Sequence, residues 1–176
     1  TVRTPDINCI LGDKLTAFAP HTTGIPLKMK KDMEVMKQMY DVGTLLDEFT
    51  DFELVYDTYL KVAAEELSYR GDNITIEDAI MDTYRSAACI ASRGVFSPDE
   101  YPLYVQGIRD LRGHIYAENY SPEIAVGRAA KLMYMAACLL KNQPYEKIKN
   151  PKEFSSERFL TGDMACLKYL RKVNLE

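Results

Sequence analysis

The feature that most narrows what this chain can fold into is its punctuation. Helix start and stop signals recur along its length, and the apolar residues between them fall three and four apart. Ser97-Pro98-Asp99-Glu100 and Ser121-Pro122-Glu123 each join a hydroxyl N-cap, a proline suited to the first helical position and a nearby glutamate. Thr4-Pro5 opens a first helix with Ile7, Ile10, Leu11, Leu15 and Phe18 on one face, and Pro20 stops it. The loop from His21 to Pro26 leads to a second helix from Lys31 to Glu48. Thr50-Asp51-Phe52-Glu53 reads as a capping box for a third, ending near Arg70-Gly71, and Thr75 caps a fourth that ends at Gly94. The fifth helix runs from Ser97 to about Tyr116. The sixth carries a small-residue stripe of Ala125, Ala129 and Ala136 among Val126, Leu132, Met133 and Leu140. After Pro144 the pattern breaks into brief helical pieces, with Thr161 capping a last helix through Arg171. No stretch reads as a strand. The expected fold is all-α, a compact bundle of six or seven helices in a single domain over 1–176, with the bundle proper over 50–176.

Composition supports a globular chain. Of 176 residues, 47% are hydrophobic and 27% charged, which excludes disordered and low-complexity classes. The net charge of −4 argues against a generic polyanion binder. The distribution is uneven: residues 1–88 hold nine Lys and Arg against sixteen Asp and Glu, and residues 89–176 hold thirteen against ten. Any nucleic-acid contact is therefore expected in the second half. Cys9, Cys89, Cys138 and Cys166 form no Cys-x-x-Cys pair and sit in apolar helical patterns, so buried free thiols, not a zinc site or disulfides, and a cytoplasmic location are expected. Two histidines, His21 and His114, do not support a histidine-rich metal site. No apolar run is long enough to cross a bilayer, so no membrane partner is expected. The chain begins at Thr1 and not Met, so a processed, tag-trimmed or excised piece is expected.

Three residues do not fit a plain bundle. On a helical wheel Lys14 falls among Ile7, Leu11 and Phe18, and an ammonium in an apolar face must snorkel, pair or line a polar cleft. Lys37 and Asp41 lie four apart on the second helix, an ordinary ion pair taken alone. If the first two helices form a hairpin, Lys14 and Asp41 come within reach of each other. A cation beside a carboxylate at a cleft rim suits phosphate recognition. Thr22, Thr23 and Gly24 offer hydroxyls and amides in the loop, a candidate anion-binding turn. No P-loop sequence is present.

Gly12-Asp13-Lys14-Leu15-Thr16-Ala17-Phe18-Ala19-Pro20, then Thr22-Thr23-Gly24-Ile25-Pro26, then Met33-Glu34 through Lys37-Gln38-Met39-Tyr40-Asp41-Val42-Gly43, resembles the C-terminal part of the AbiEii/AbiGii-type nucleotidyltransferase toxins, bacterial proteins linked to phage abortive infection and toxin–antitoxin pairs. The resemblance covers 4–48. It implies that the chain is the C-terminal helical half of a nucleotidyltransferase-fold protein, with Lys14 and Asp41 as the catalytic pair and Asp13, Lys37, Thr22 and Thr23 as nucleotide contacts. It further implies an NTP substrate and Mg²⁺ for the intact parent, and an N-terminal nucleotidyltransferase domain, an antitoxin and an RNA acceptor as partners. The family's Gly-Ser turn with paired metal-binding carboxylates is absent here, so no cofactor is expected in this chain, and the chain alone is predicted to be inactive. Where the family often places an arginine before the aspartate, this chain has Lys37-Gln38. The basic residues Lys131, Lys141, Lys147, Lys149, Lys152, Arg158, Lys168, Arg171 and Lys172 are the expected guides for RNA. The alternative is a non-catalytic helical interaction module serving antitoxin docking or oligomerisation.

Overall fold

A computed structural model describes residues 4–70, 73–147 and 161–172. The described residues form six α-helices and contain no strand: α1 (Ile7–Ala17), α2 (Asp32–Glu48), α3 (Phe52–Arg70), α4 (Ile76–Ala91), α5 (Tyr101–Arg112) and α6 (Pro122–Lys141), followed by a 3-10 helix at Gly162–Lys172. The all-α bundle expected from the sequence is what forms.

The helices do not simply pack in chain order. α1 lies on α3, α2 on α5 and α4 on α6, while α2 also touches α1 and α6 and so runs through the middle. One apolar core joins the pairs, from Leu11 and Leu15 on α1 and Phe18 just beyond it through Met36 and Met39 on α2 to Leu132 and Ala136 on α6, all fully buried. Alanines at 87, 88 and 91 on α4 face a bundle side shared with the alanines of α6, where short side chains allow close approach.

Glycine sets two of the helix crossings. A Cβ on Gly12 would stand 2.7 Å from the Val55 carbonyl oxygen and 2.7 Å from Thr58 Cβ, so α1 rests on the α3 backbone. A Cβ on Gly107 would collide with the Asp32 carbonyl at the start of α2.

The caps explain where the boundaries differ from the sequence reading. α1 starts two residues later than Thr4-Pro5 implies, because the Asp6 carboxylate accepts from the Asn8 amide at 2.8 Å. Buried Asn8 then accepts from the Thr50 and Asp51 amides at 2.8 and 3.0 Å, tying the start of α1 to the start of α3. α3 is capped by Asp51, which accepts from Leu54, and the box read at Thr50 lies one residue out of register. Thr75 does cap α4, in a reciprocal box with Asp78, and the Thr75 amide and hydroxyl hold the Asp78 carboxyl below its usual range. α4 ends at Ala91, and the left-handed residues Arg93 and Gly94 turn the chain away. Ser97 does not cap α5: its hydroxyl donates to Glu100, residues 97–100 form a turn, and the helix begins at Tyr101 and ends at Arg112 instead of Tyr116. Ser121 caps α6 as read, accepting from the Ile124 amide with Pro122 at the first helical position.

Alanine exceeds glycine in helix propensity by about 1 kcal/mol, so replacing an unconstrained helical glycine stabilises. At Gly12 and Gly107 the sign should reverse. Gly12→Ala and Gly107→Ala are each expected to destabilise by about 1–3 kcal/mol, measured by urea denaturation. A gain in stability for either would show that the helix pair is not in backbone contact.

Candidate functional site

Lys14 leaves the apolar face of α1 by snorkelling. Its neighbours Leu11, Leu15 and Phe18 are fully buried, whereas 34% of its own side chain reaches solvent. Its Nζ lies 3.4 Å from Asp41 Oδ2 on α2, and Lys37 Nζ donates to the same oxygen at 2.8 Å. Two ammonium groups therefore share one carboxylate oxygen. Three residues that the sequence singled out, Lys14, Asp41 and Lys37, meet in space, and the hairpin of α1 and α2 brings them there.

Beside Lys14 opens a cleft of about 470 Å³, of the size that holds small molecules. Asp13, Lys14, Thr16 and Ala17 of α1 form one wall, and the loop from Thr23 to Pro26 with Met29 and Lys31 forms a second. Gln38 of α2 and Glu66 and Arg70 of α3 complete it. Asp13 is solvent-exposed at the rim. Arg70 donates through Nη2 to the Thr23 carbonyl at 2.6 Å and more weakly to that of Gly24, which holds the loop over the cleft. Gly24 is required by close approach, since a Cβ there would stand 2.5 Å from the Ala17 carbonyl oxygen.

The loop does not present the exposed donors expected of Thr22 and Thr23. Both residues are buried. Thr22 Oγ1 donates to Asp82 at 2.9 Å and Thr23 Oγ1 to the Thr16 carbonyl at 2.6 Å, while the Thr22 and Gly24 amides donate to the Ala19 carbonyl. Folding the turn onto the bundle consumes the groups that would otherwise meet an anion.

The sequence reading missed the cluster that anchors this loop. His21 donates its backbone amide to Asp82 Oδ2 at 2.7 Å, sets Nδ1 2.6 Å from Asp82 Oδ1, and sets Nε2 2.8 Å from Glu100 Oε1. Asp82 on α4 is 6% exposed and also accepts from Thr22 and from Ser86. Burial alone would lower the imidazole pKa, but hydrogen bonds and charge from Asp82 and Glu100 outweigh it and raise the pKa above 6.5. The available signal was Asp82 itself, an acid beside Ala79 and Ser86 on the apolar side of α4, as anomalous there as Lys14 is on α1.

Elsewhere, Arg128 pins α6 to α2. Its guanidinium donates to the Tyr40 carbonyl, Thr44 and Glu118 and lies 4.3 Å from the Tyr40 ring centre, one residue from Asp41. The basic residues expected to guide RNA are partly committed: Lys131 pairs with Asp47, and Lys147 donates to the Asp47 and Phe49 carbonyls at the end of α2. Lys149, Lys152 and Arg158, and the side chains of Lys168, Arg171 and Lys172, lie outside the described residues. The four cysteines are free thiols, Cys89 and Cys138 buried, with burial pushing Cys89 up to about 12. Among the described residues no group of three or more His, Cys, Asp or Glu side chains is placed to hold a metal ion, and no helix is long and apolar enough to cross a membrane.

No family model matches the chain, and neither any curated protein nor any solved structure matches it.

Two stability effects separate the buried cluster from the exposed one. Asp82→Ala strands the donors of His21, Thr22 and Ser86 and is expected to cost about 3–5 kcal/mol. Lys37→Ala removes only an exposed pair and is expected to cost less than about 0.5 kcal/mol. Chemical denaturation of both variants checks the contrast, and equal costs would contradict the assignment of Asp82 as the loop's anchor.

Proposed function

We propose that this chain is the C-terminal helical part of a nucleotidyltransferase toxin of the AbiEii/AbiGii kind, acting in the cytoplasm in phage defence, and that its cleft receives the phosphates of an NTP. The observation that carries this reading is the shared carboxylate. Lys14 makes the longer of the two contacts to Asp41, and Asp41 keeps Lys37 at 2.8 Å if Lys14 turns away. Releasing Lys14 to a phosphate therefore leaves no carboxylate unpaired, and an ammonium at a cleft edge neutralises phosphate charge effectively because local screening is weaker than in bulk water. Arg70 also lines the cleft, with guanidinium N–H groups beyond the Nη2 that meets the loop, and Lys31 adds a third cation to the lining. Asp41 acts by positioning Lys14, and Lys37 by holding Asp41.

Among the described residues no group of three or more His, Cys, Asp or Glu side chains is placed to hold Mg²⁺. In this reading the metal-binding carboxylates and the transfer itself belong to an N-terminal nucleotidyltransferase domain, with an RNA acceptor and an antitoxin as further partners, and this chain supplies phosphate contacts.

Isothermal titration of the chain with ATP, GTP, CTP and UTP in turn tests the proposal. Lys14→Ala is expected to weaken binding by about tenfold or more, the loss of one charge-assisted hydrogen bond. Lys141→Ala, at the far end of α6, is expected to leave it unchanged. Equal effects of the two variants would remove Lys14 from the site. No binding by any nucleotide, together with self-association in light scattering, would favour the non-catalytic interaction module instead.

A further inference from the structure

The imidazole of His21 has a carboxylate oxygen within hydrogen-bond distance of each ring nitrogen, Asp82 at 2.6 Å and Glu100 at 2.8 Å. Neutral imidazole carries one N–H, and its other nitrogen is an acceptor. A neutral ring can therefore serve only one of these acids and must turn a lone pair toward the other. Only the imidazolium donates to both.

This arrangement sits at the base of the cleft wall. The same residue donates its amide to Asp82, the next residue donates its hydroxyl to Asp82, and the residues immediately after, Thr23 to Pro26, line the cleft. We propose that His21 is a positioning residue for the cleft, holding the wall from Thr23 to Pro26 in place as an imidazolium and loosening it when it loses its proton. The inference concerns regulation of the cleft, and its bearing on nucleotides rests on the function proposed above.

The surroundings assign the pH response to His21. Asp82 of α4 and Glu100 before α5 are the two acids that face it. The Asp82 carboxylate also accepts from Thr22 and Ser86, and Glu100 accepts from Ser97. Tyr59 of α3 and Tyr104 of α5 lie near Asp82, and Cys89 of α4 lies near Glu100; burial raises all three, Cys89 to about 12, so none competes with His21 near neutrality. Arg70 reaches the loop from α3. A basic group favoured in the folded state contributes most below its unfolded pKa of about 6.5, and that contribution is lost as pH rises through its higher folded value. The wall should thus be held most firmly below about pH 6.5 and released as pH rises above it.

The test needs no activity. An NMR titration of the unaltered chain should show the His21 ring titrating above 6.5, with both ring nitrogens protonated below the midpoint. Amide hydrogen exchange at His21, Thr22 and Gly24, corrected for the pH dependence of unstructured amides, should accelerate severalfold between pH 6 and pH 9. In His21→Gln this pH dependence should vanish. ATP binding should fall in parallel in the unaltered chain and become flat with pH in the variant. A ring that titrates at or below 6.5, or loop exchange as pH-dependent in His21→Gln as in the unaltered chain, overturns the proposal. If the exchange response is present and ATP binds at no pH, the clamp stands and the nucleotide reading fails.

Discussion

The carboxylate of Asp82 is the fixed point around which the cleft is built. A buried acid is costly unless donors surround it, and α4 supplies only Ser86. The remaining donors, the His21 amide and ring and the Thr22 hydroxyl, come from the loop between α1 and α2. The dependence runs both ways. Asp82 is tolerated because the loop folds onto it, and the loop has one course because Asp82 is there. Thr83 extends the attachment by donating to the Phe18 carbonyl, and Arg70 holds the loop from the α3 side. A loop tied to three helices fixes the angle at which α2 leaves α1, and that angle brings Asp41 to Lys14.

The two charge clusters on either side of this loop differ in kind. At Asp82 the acid itself is buried and its contacts are short and numerous, with only the His21 ring half-exposed, so the cluster holds structure. At Asp41 the groups are partly exposed, one contact is long, and the acid has a spare cation, so the cluster contributes little to stability and can rearrange at small cost.

Much of the fold was legible because helix periodicity and caps are local. Thr75 and Ser121 act as read, since each side chain finds an amide within its own first turn. Ser97 misled because Glu100, which should have completed the cap, is drawn to His21 across the fold, and no local pattern records that. Lys14, Lys37 and Asp41 were legible as a group because two are a helical turn apart and the third is conspicuous on an apolar face. Thr22 and Thr23 were misread as exposed donors because their acceptors, Asp82 and the Thr16 carbonyl, are supplied by the way the loop packs. Glu66 and Arg70 went unnoticed for the same reason: they are unremarkable on α3 and matter only through the contact between α3 and the loop.

Presentation of Lys14 to a phosphate is the proposed role of this assembly, and a crystal of the chain soaked with a non-hydrolysable NTP analogue is its sharpest test. A phosphate oxygen is expected within about 3 Å of Lys14 Nζ, with the ammonium moved off Asp41 and Lys37 still in place. An analogue bound elsewhere, with Lys14 still on Asp41, would contradict it.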